Sequence, residues 1–91
     1  MAILVMAHVE GVNEAMHTGM LKALEASVRG APGFIGHLAG PNGDAFRVLE
    51  IWETKDDAVR FFADFVHPNL PPGVRPQRTY HELSAVLLTA R

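Results

Sequence analysis

From Ala2 to Val9 the chain is apolar on both faces that a strand would present. Side chains alternate across a strand, so Ile3, Val5, Ala7 and Val9 point one way and Leu4, Met6 and His8 the other. Such a strand needs cover on both sides. Whichever set meets the protein's own helices, the other remains an apolar stripe that calls for a partner, and two sheets packed face to face in a homodimer is the economical answer.

The rest of the chain supplies the helices. Spacing turns helical from Val12 to Arg29, with Asn13 as N-cap and Gly30 with Pro32-Gly33 as the stop. At about 100° per residue, Met16, His17, Met20, Leu21, Leu24 and Val28 share one sector, opposite Lys22, Glu25 and Arg29. Phe34–Ala39 and Ala45–Glu53 read as strands joined by Gly40-Pro41-Asn42-Gly43-Asp44, in which Asn-Gly signals a tight hairpin. With Asn42 and Gly43 central, Pro41 pairs with Asp44, Ala39 with Phe46, His37 with Val48 and Ile35 with Glu50. His37 then shares a face with Glu50 and Trp52. Thr54 caps a second helix whose apolar sector holds Ala58, Phe61, Phe62, Phe65 and Val66, and which His67-Pro68 ends. A proline-rich loop runs to Pro76, and Thr79–Thr89 reads as the last strand. The order βαββαβ predicts an α+β, ferredoxin-like domain over residues 1–91, with an antiparallel sheet and both helices on one face.

Ninety-one residues allow one core, so any pocket is small or shared. An apolar content of 48% with 20% charged residues is that of a globular domain. A formal charge of -2 offers no basic excess for phosphate backbones, and the third strand lacks the basic, aromatic-rich stretch that stacks RNA bases. No nucleic-acid partner is expected. The absence of cysteine excludes disulfides, thiolate nucleophiles and cysteine-built metal sites, which fits a reducing compartment. The N-terminus has no positive segment of the signal-peptide kind, and its apolar run is far short of the roughly 20 residues of a membrane span. The expectation is a cytoplasmic protein without a membrane partner.

Two stretches, Pro32-Gly33-Phe34-Ile35-Gly36 and Arg47-Val48-Leu49-Glu50-Ile51-Trp52-Glu53-Thr54, followed by an aromatic helix, resemble the antibiotic biosynthesis monooxygenase domain. The resemblance spans almost the whole chain and implies a dimeric α/β barrel. Some domains of that kind oxidise phenolic or anthrone-type polyketide intermediates with molecular oxygen and no metal or flavin. Others degrade haem, cyclise polyketides or have no known activity, so the resemblance is more specific for fold than for reaction. By motif it assigns substrate contact to Trp52, in a cavity between sheet and helices. A pocket asparagine on the first strand of some relatives is replaced here by Met6 and then His8.

Four residues are candidates for the chemistry: Trp52, His37, His17 and Glu50. A near-neutral imidazole is the natural base for a phenolic proton, and the phenolate is the form that gives an electron to oxygen. Glu50, as an inward carboxylate, suits proton transfer unless Arg47, Arg75 or Arg78 pairs with it. Met6, Met20, Phe61 and Phe65 are candidates for the apolar wall around a substrate. Five histidines raise the question of a metal, but no pair has the helical or strand spacing of a ready-made site. Neither metal nor cofactor is expected. The favoured reading is a cofactor-independent monooxygenase acting on an aromatic or polyketide-type small molecule. The alternatives are a cyclase using the same base, a haem-binding or haem-degrading protein with His17 or His67 as axial ligand, and a dimeric ligand-binding module without catalysis.

Overall fold

The computed structural model describes residues 1–89 and follows the expected order: β1 (Ile3–Val9), α1 (Glu14–Arg29), β2 (Phe34–Asn42), β3 (Ala45–Trp52), α2 (Lys55–Phe61) and β4 (Gln77–Glu82). The strands form one antiparallel sheet in the order β2-β3-β1-β4. This is the ferredoxin-like α+β arrangement. Both helices start as their sequences dictate. Asn13 accepts a hydrogen bond from the Met16 N–H at 2.9 Å, and Thr54 accepts one from the Asp57 N–H at 3.1 Å. None of the described helices is long and apolar enough to cross a membrane.

Alternation along β1 decides which face the helices cover. Ile3, Val5, Ala7 and Val9 are buried, whereas Met6 on the opposite face is 40% exposed. Val28 of α1 and Ala58 and Phe61 of α2 pack with Ile3, Val5 and Trp52 in one cluster, and Ala7, Val9, Val12 and Phe46 form a second. Leu4, Met6, Leu38 and Leu49 lie on the open face by register.

The hairpin departs from the expected pairing by two residues. Asn42 pairs with Ala45, so Gly43 and Asp44 are the central pair, and His37 stands opposite Glu50 instead of Val48. Gly43 has φ +62° while Asp44 keeps a negative φ, the pattern of a turn with glycine first and not of one with Asn-Gly at its centre. A shift of two preserves facing, so His37 still shares the face of Glu50 and Trp52. Further along, the register shifts by one between Phe34 and Gly36, a bulge at Ile35 that brings Phe34 opposite Trp52. Ile35 therefore does not pair with Glu50.

Further differences lie at element ends: β2 runs on to Asn42, past the expected Ala39, and β4 begins at Gln77, two residues before the expected Thr79. The last strand stops at Glu82, not Thr89, because Leu83 makes the final rung to the Ala2 carbonyl at 2.8 Å and β1 offers nothing further to pair with. Residues 83–89 run on without regular structure, and Leu88 reaches back over Gly36 on the open face. The second helix keeps α geometry only to Phe61. Phe62–Val66 then widens into a π turn, in which the His67 N–H reaches the Phe62 carbonyl, and a 3-10 turn follows over His67–Asn69.

Gly33 ties this end of the sheet to α2. It has φ +80°, its carbonyl accepts the Glu53 N–H at 2.7 Å, and a side chain here would run into the Asp57 carboxylate. Gly33→Ala is expected to cost about 1–3 kcal/mol through backbone strain alone. A urea denaturation midpoint equal to that of the parent protein would contradict this.

Candidate functional site

A small cleft of about 100 Å³, open to solvent at its mouth, lies between α1, the helix-facing side of the sheet, the π turn and the loop before β4. Met20, Leu24, Phe61, Phe62, Val66 and Leu70 supply its apolar walls. Its polar groups are few: His17, His37, Glu50 and Arg78.

His17 comes from the first turns of α1 and His37 from β2. Their Nε2 atoms are 3.2 Å apart. The ring planes differ by 11° and the centroids lie 5.3 Å apart, about two ring radii more than the nitrogen separation. The rings therefore meet edge to edge, nearly in one plane, and not face to face. One Nε2 donates and the other accepts, so when both rings are neutral they hold opposite tautomers. Phe46 flanks His17 with its centroid at 4.8 Å. Burial lowers the pKa of His17, and the neighbouring His37 lowers it further. Burial also lowers that of His37, against an opposing pull from Glu50.

Both shifts carry a consequence for stability. The folded-state pKa lies below the ordinary 6.5, so above that pH folded and unfolded chains both hold neutral rings and stability is fully present. As pH falls below 6.5 the unfolded chain takes up protons first, and stability is lost until the folded pKa values are passed. The melting temperature should drop between pH 7 and pH 5 more steeply in the parent than in a His17→Gln, His37→Gln double variant. Equal slopes would remove these rings as the cause.

Glu50 faces His37 across the hairpin, and one of its oxygens is held from two sides. Trp52 Nε1 donates to Oε1 at 2.9 Å and Arg78 Nη2 donates to the same atom at 3.4 Å. The side chains of Glu50 and Arg78 are only 12% and 9% exposed. Of the three arginines considered from sequence, it is Arg78 that pairs. Its guanidinium lies 4.2 Å from the centre of the Phe62 ring, and its Nε is buried without a hydrogen-bond partner among the described residues.

The structure thus brings His17, His37, Glu50, Met20 and Phe61 to one cleft. Trp52 is fully buried behind it, against Phe34 and Phe61, and its one polar contact with the cleft lining is the hydrogen bond to Glu50. Met6 does not line it, because strand alternation sends Met6 to the open face. Phe65 does not line it either. The extra residue of the π turn carries Phe62 and Val66 inward and leaves Phe65 42% exposed, stacked on Phe61 beside a separate groove with Arg60 and Asp64. His8 and His81 fall on the open face, near Glu10 and Thr79 respectively. Arg78 was legible only as a partner for Glu50. The expected last strand begins at Thr79, one residue too late to include it, whereas β4 begins at Gln77 and so carries Arg78 onto the cleft face.

Neither a protein-family profile nor a curated protein matches the sequence. Solved structures do match the fold. The chain is similar to SnoaB, a cofactor-independent oxygenase from Streptomyces nogalater, with a TM-score of 0.65 and 14% identity over 94% of this chain and 96% of that one. It is similar to the structural-genomics protein YjcS at a TM-score of 0.65 and 16% identity, covering 91% and 99% of the two chains. A protein of unknown function from Nitrosomonas europaea matches with a TM-score of 0.65 and 18% identity over 99% and 96%. At these identities the likeness establishes a shared fold, and that fold is found in both an oxygenase and a protein of unknown function.

Proposed function

We propose that the protein is a cofactor-independent monooxygenase acting on an aromatic or polyketide-type small molecule bound in the cleft. The observation that carries this reading is the pair of neutral imidazoles facing an otherwise apolar cavity. A neutral imidazole is available as a base at pH 7, and apolar walls favour transfer of a proton from a weakly acidic phenol or activated methylene over its loss to water. The proton rests best on His37, whose positive charge the Glu50 carboxylate across the hairpin stabilises. Trp52 and Arg78 fix that carboxylate. His17 shares the proton through the Nε2 pair.

The substrate then carries the redox chemistry. Its carbanion or phenolate gives one electron to molecular oxygen, and the radical pair combines to a carbon-bound hydroperoxide. Loss of the remaining proton on that carbon breaks the O–O bond and leaves a carbonyl and one water. A methylene becomes a carbonyl, one oxygen atom stays with the product, and the substrate supplies all four electrons. The protein's share is to bind, orient, exclude water and move the proton. The reading draws support from the SnoaB-like fold, and it includes a homodimer that covers Leu4, Met6, Leu38 and Leu49.

The test is oxygen uptake by chelator-treated protein with a panel of anthrones, naphthols and hydroquinones. Uptake with at least one of them, unaffected by chelation, is the expected result. Substrate consumed without oxygen points instead to a cyclase, and no turnover across the panel points to a binding module. The homodimer predicts a sedimentation mass near twice 9.9 kDa, reduced to one chain by Leu38→Lys. A parent protein that sediments as one chain at all concentrations contradicts it.

A further inference from the structure

We propose that His17 and His37 also form a two-imidazole chelate for a divalent transition-metal ion, and that such an ion inhibits the protein by occupying its base. The inhibition rests on the oxygenase reading. The binding does not.

The geometry points to a chelate because two nitrogens at about 2.0–2.1 Å from one ion, with bond angles between square and tetrahedral, stand about 2.9–3.4 Å apart. The Nε2 atoms stand at 3.2 Å. The separation already matches, and the lone pairs, which now point toward one another, reach a common ion once the two rings turn toward the cleft. One donor sits on α1 and the other on β2, twenty positions away, so the pairing arises from tertiary packing and has no local motif. Both rings need the Nδ1–H tautomer to offer two lone pairs, so the ion replaces the proton that now lies between the nitrogens.

Chemistry narrows the choice of ion. Among the described residues no third histidine or carboxylate completes a cluster of three, and the near carboxylate of Glu50 is already held by Trp52 and Arg78. Hard cations that demand many oxygen ligands, such as magnesium and calcium, find none here. Imidazole suits copper, nickel and zinc. The Glu50–Arg78 pair is neutral overall and does not repel the ion. The remaining coordination positions face the cleft, where water or an oxygen of a bound molecule fills them.

The experiment uses the full chain, stripped of metal and titrated with zinc ions while the ring nitrogens of the histidines are followed by NMR. The expected result is that the His17 and His37 signals move together and saturate at one equivalent, ahead of His8, His67 and His81. Copper bound to the same protein should show hyperfine splitting from two imidazole nitrogens. His17→Gln or His37→Gln should weaken binding on the order of 100-fold, the loss expected when a chelate becomes a single contact, while His8→Gln and His81→Gln should leave it unchanged. Unmoved His17 and His37 signals in the parent overturn the site without reference to any variant, as does retained affinity in the two cleft variants. If zinc binds and oxygen uptake falls with occupancy, both parts stand; if uptake is unaffected, the inhibition is overturned. Stimulated uptake, or none at all without metal, would defeat the cofactor-free reading and leave the site itself to be judged by the NMR titration.

Discussion

Replacing His37 by glutamine is expected to lower kcat for oxygen uptake by roughly 10²- to 10⁴-fold, the usual contribution of a positioned general base. Glutamine is close in size and its amide can donate to His17 Nε2, so the cleft keeps its shape while the base next to Glu50 is lost. KM should change little, because the apolar walls that hold the substrate are untouched. His17→Gln should cost a comparable factor, since it removes the other half of the same hydrogen-bonded unit. The double variant should cost about as much as either single one and not the product of the two. Circular dichroism and denaturation must show each variant folded. A His37→Gln protein that takes up oxygen at the parental rate would mean that deprotonation is done elsewhere, and the neutral imidazole pair would then be a packing feature of the cleft.

The sequence carried the fold further than it carried the site. Element order came from apolar periodicity and caps, and Asn13 and Thr54 cap where they should because side-chain oxygens meeting free N–H groups is a local event. The hairpin shows the limit of local signals. Asn42-Gly43 correctly marked a turn, yet whether Gly43 sits first or second in it depends on backbone angles that a dipeptide does not fix. The facing of His37 survived only because the error was two residues and not one. Phe65 and Met6 mark two different failures. For Phe65, a π turn changed the helical period in mid-run, and no residue of Phe62–Val66 announces such a turn. For Met6, the alternation was visible, but an apolar residue on either face reads alike until the helices are placed. The His17–His37 contact was beyond reach for a further reason. It joins two elements twenty positions apart, and spacing rules see only partners on one helix or one ladder.

Trp52 is where the resemblance and the structure pull apart, and its substitution should have the largest effect on stability. The resemblance implies that this tryptophan touches substrate. Here the ring is fully buried, packed on Phe34 and Phe61, and its N–H is spent on Glu50. Trp52→Ala is therefore expected to cost about 3–5 kcal/mol, the range for a large aromatic removed from a core. A chain of this length has roughly 5–14 kcal/mol in all, so a substantial part of its stability would go. Trp52→Phe separates packing from positioning. It keeps most of the ring and removes the donor, leaving Arg78 alone on Glu50 at the longer distance, and should cost about 1–3 kcal/mol. In turnover, a residue that acts through Glu50 changes kcat and leaves KM nearly constant, because Glu50 stabilises the proton on His37 and not the bound substrate. A residue that binds the substrate equally in its ground and transition states does the reverse. Steady-state oxygen uptake by Trp52→Phe thus decides the matter: a fallen kcat at constant KM marks Trp52 as a positioning residue, and a raised KM at constant kcat would place substrate against the indole.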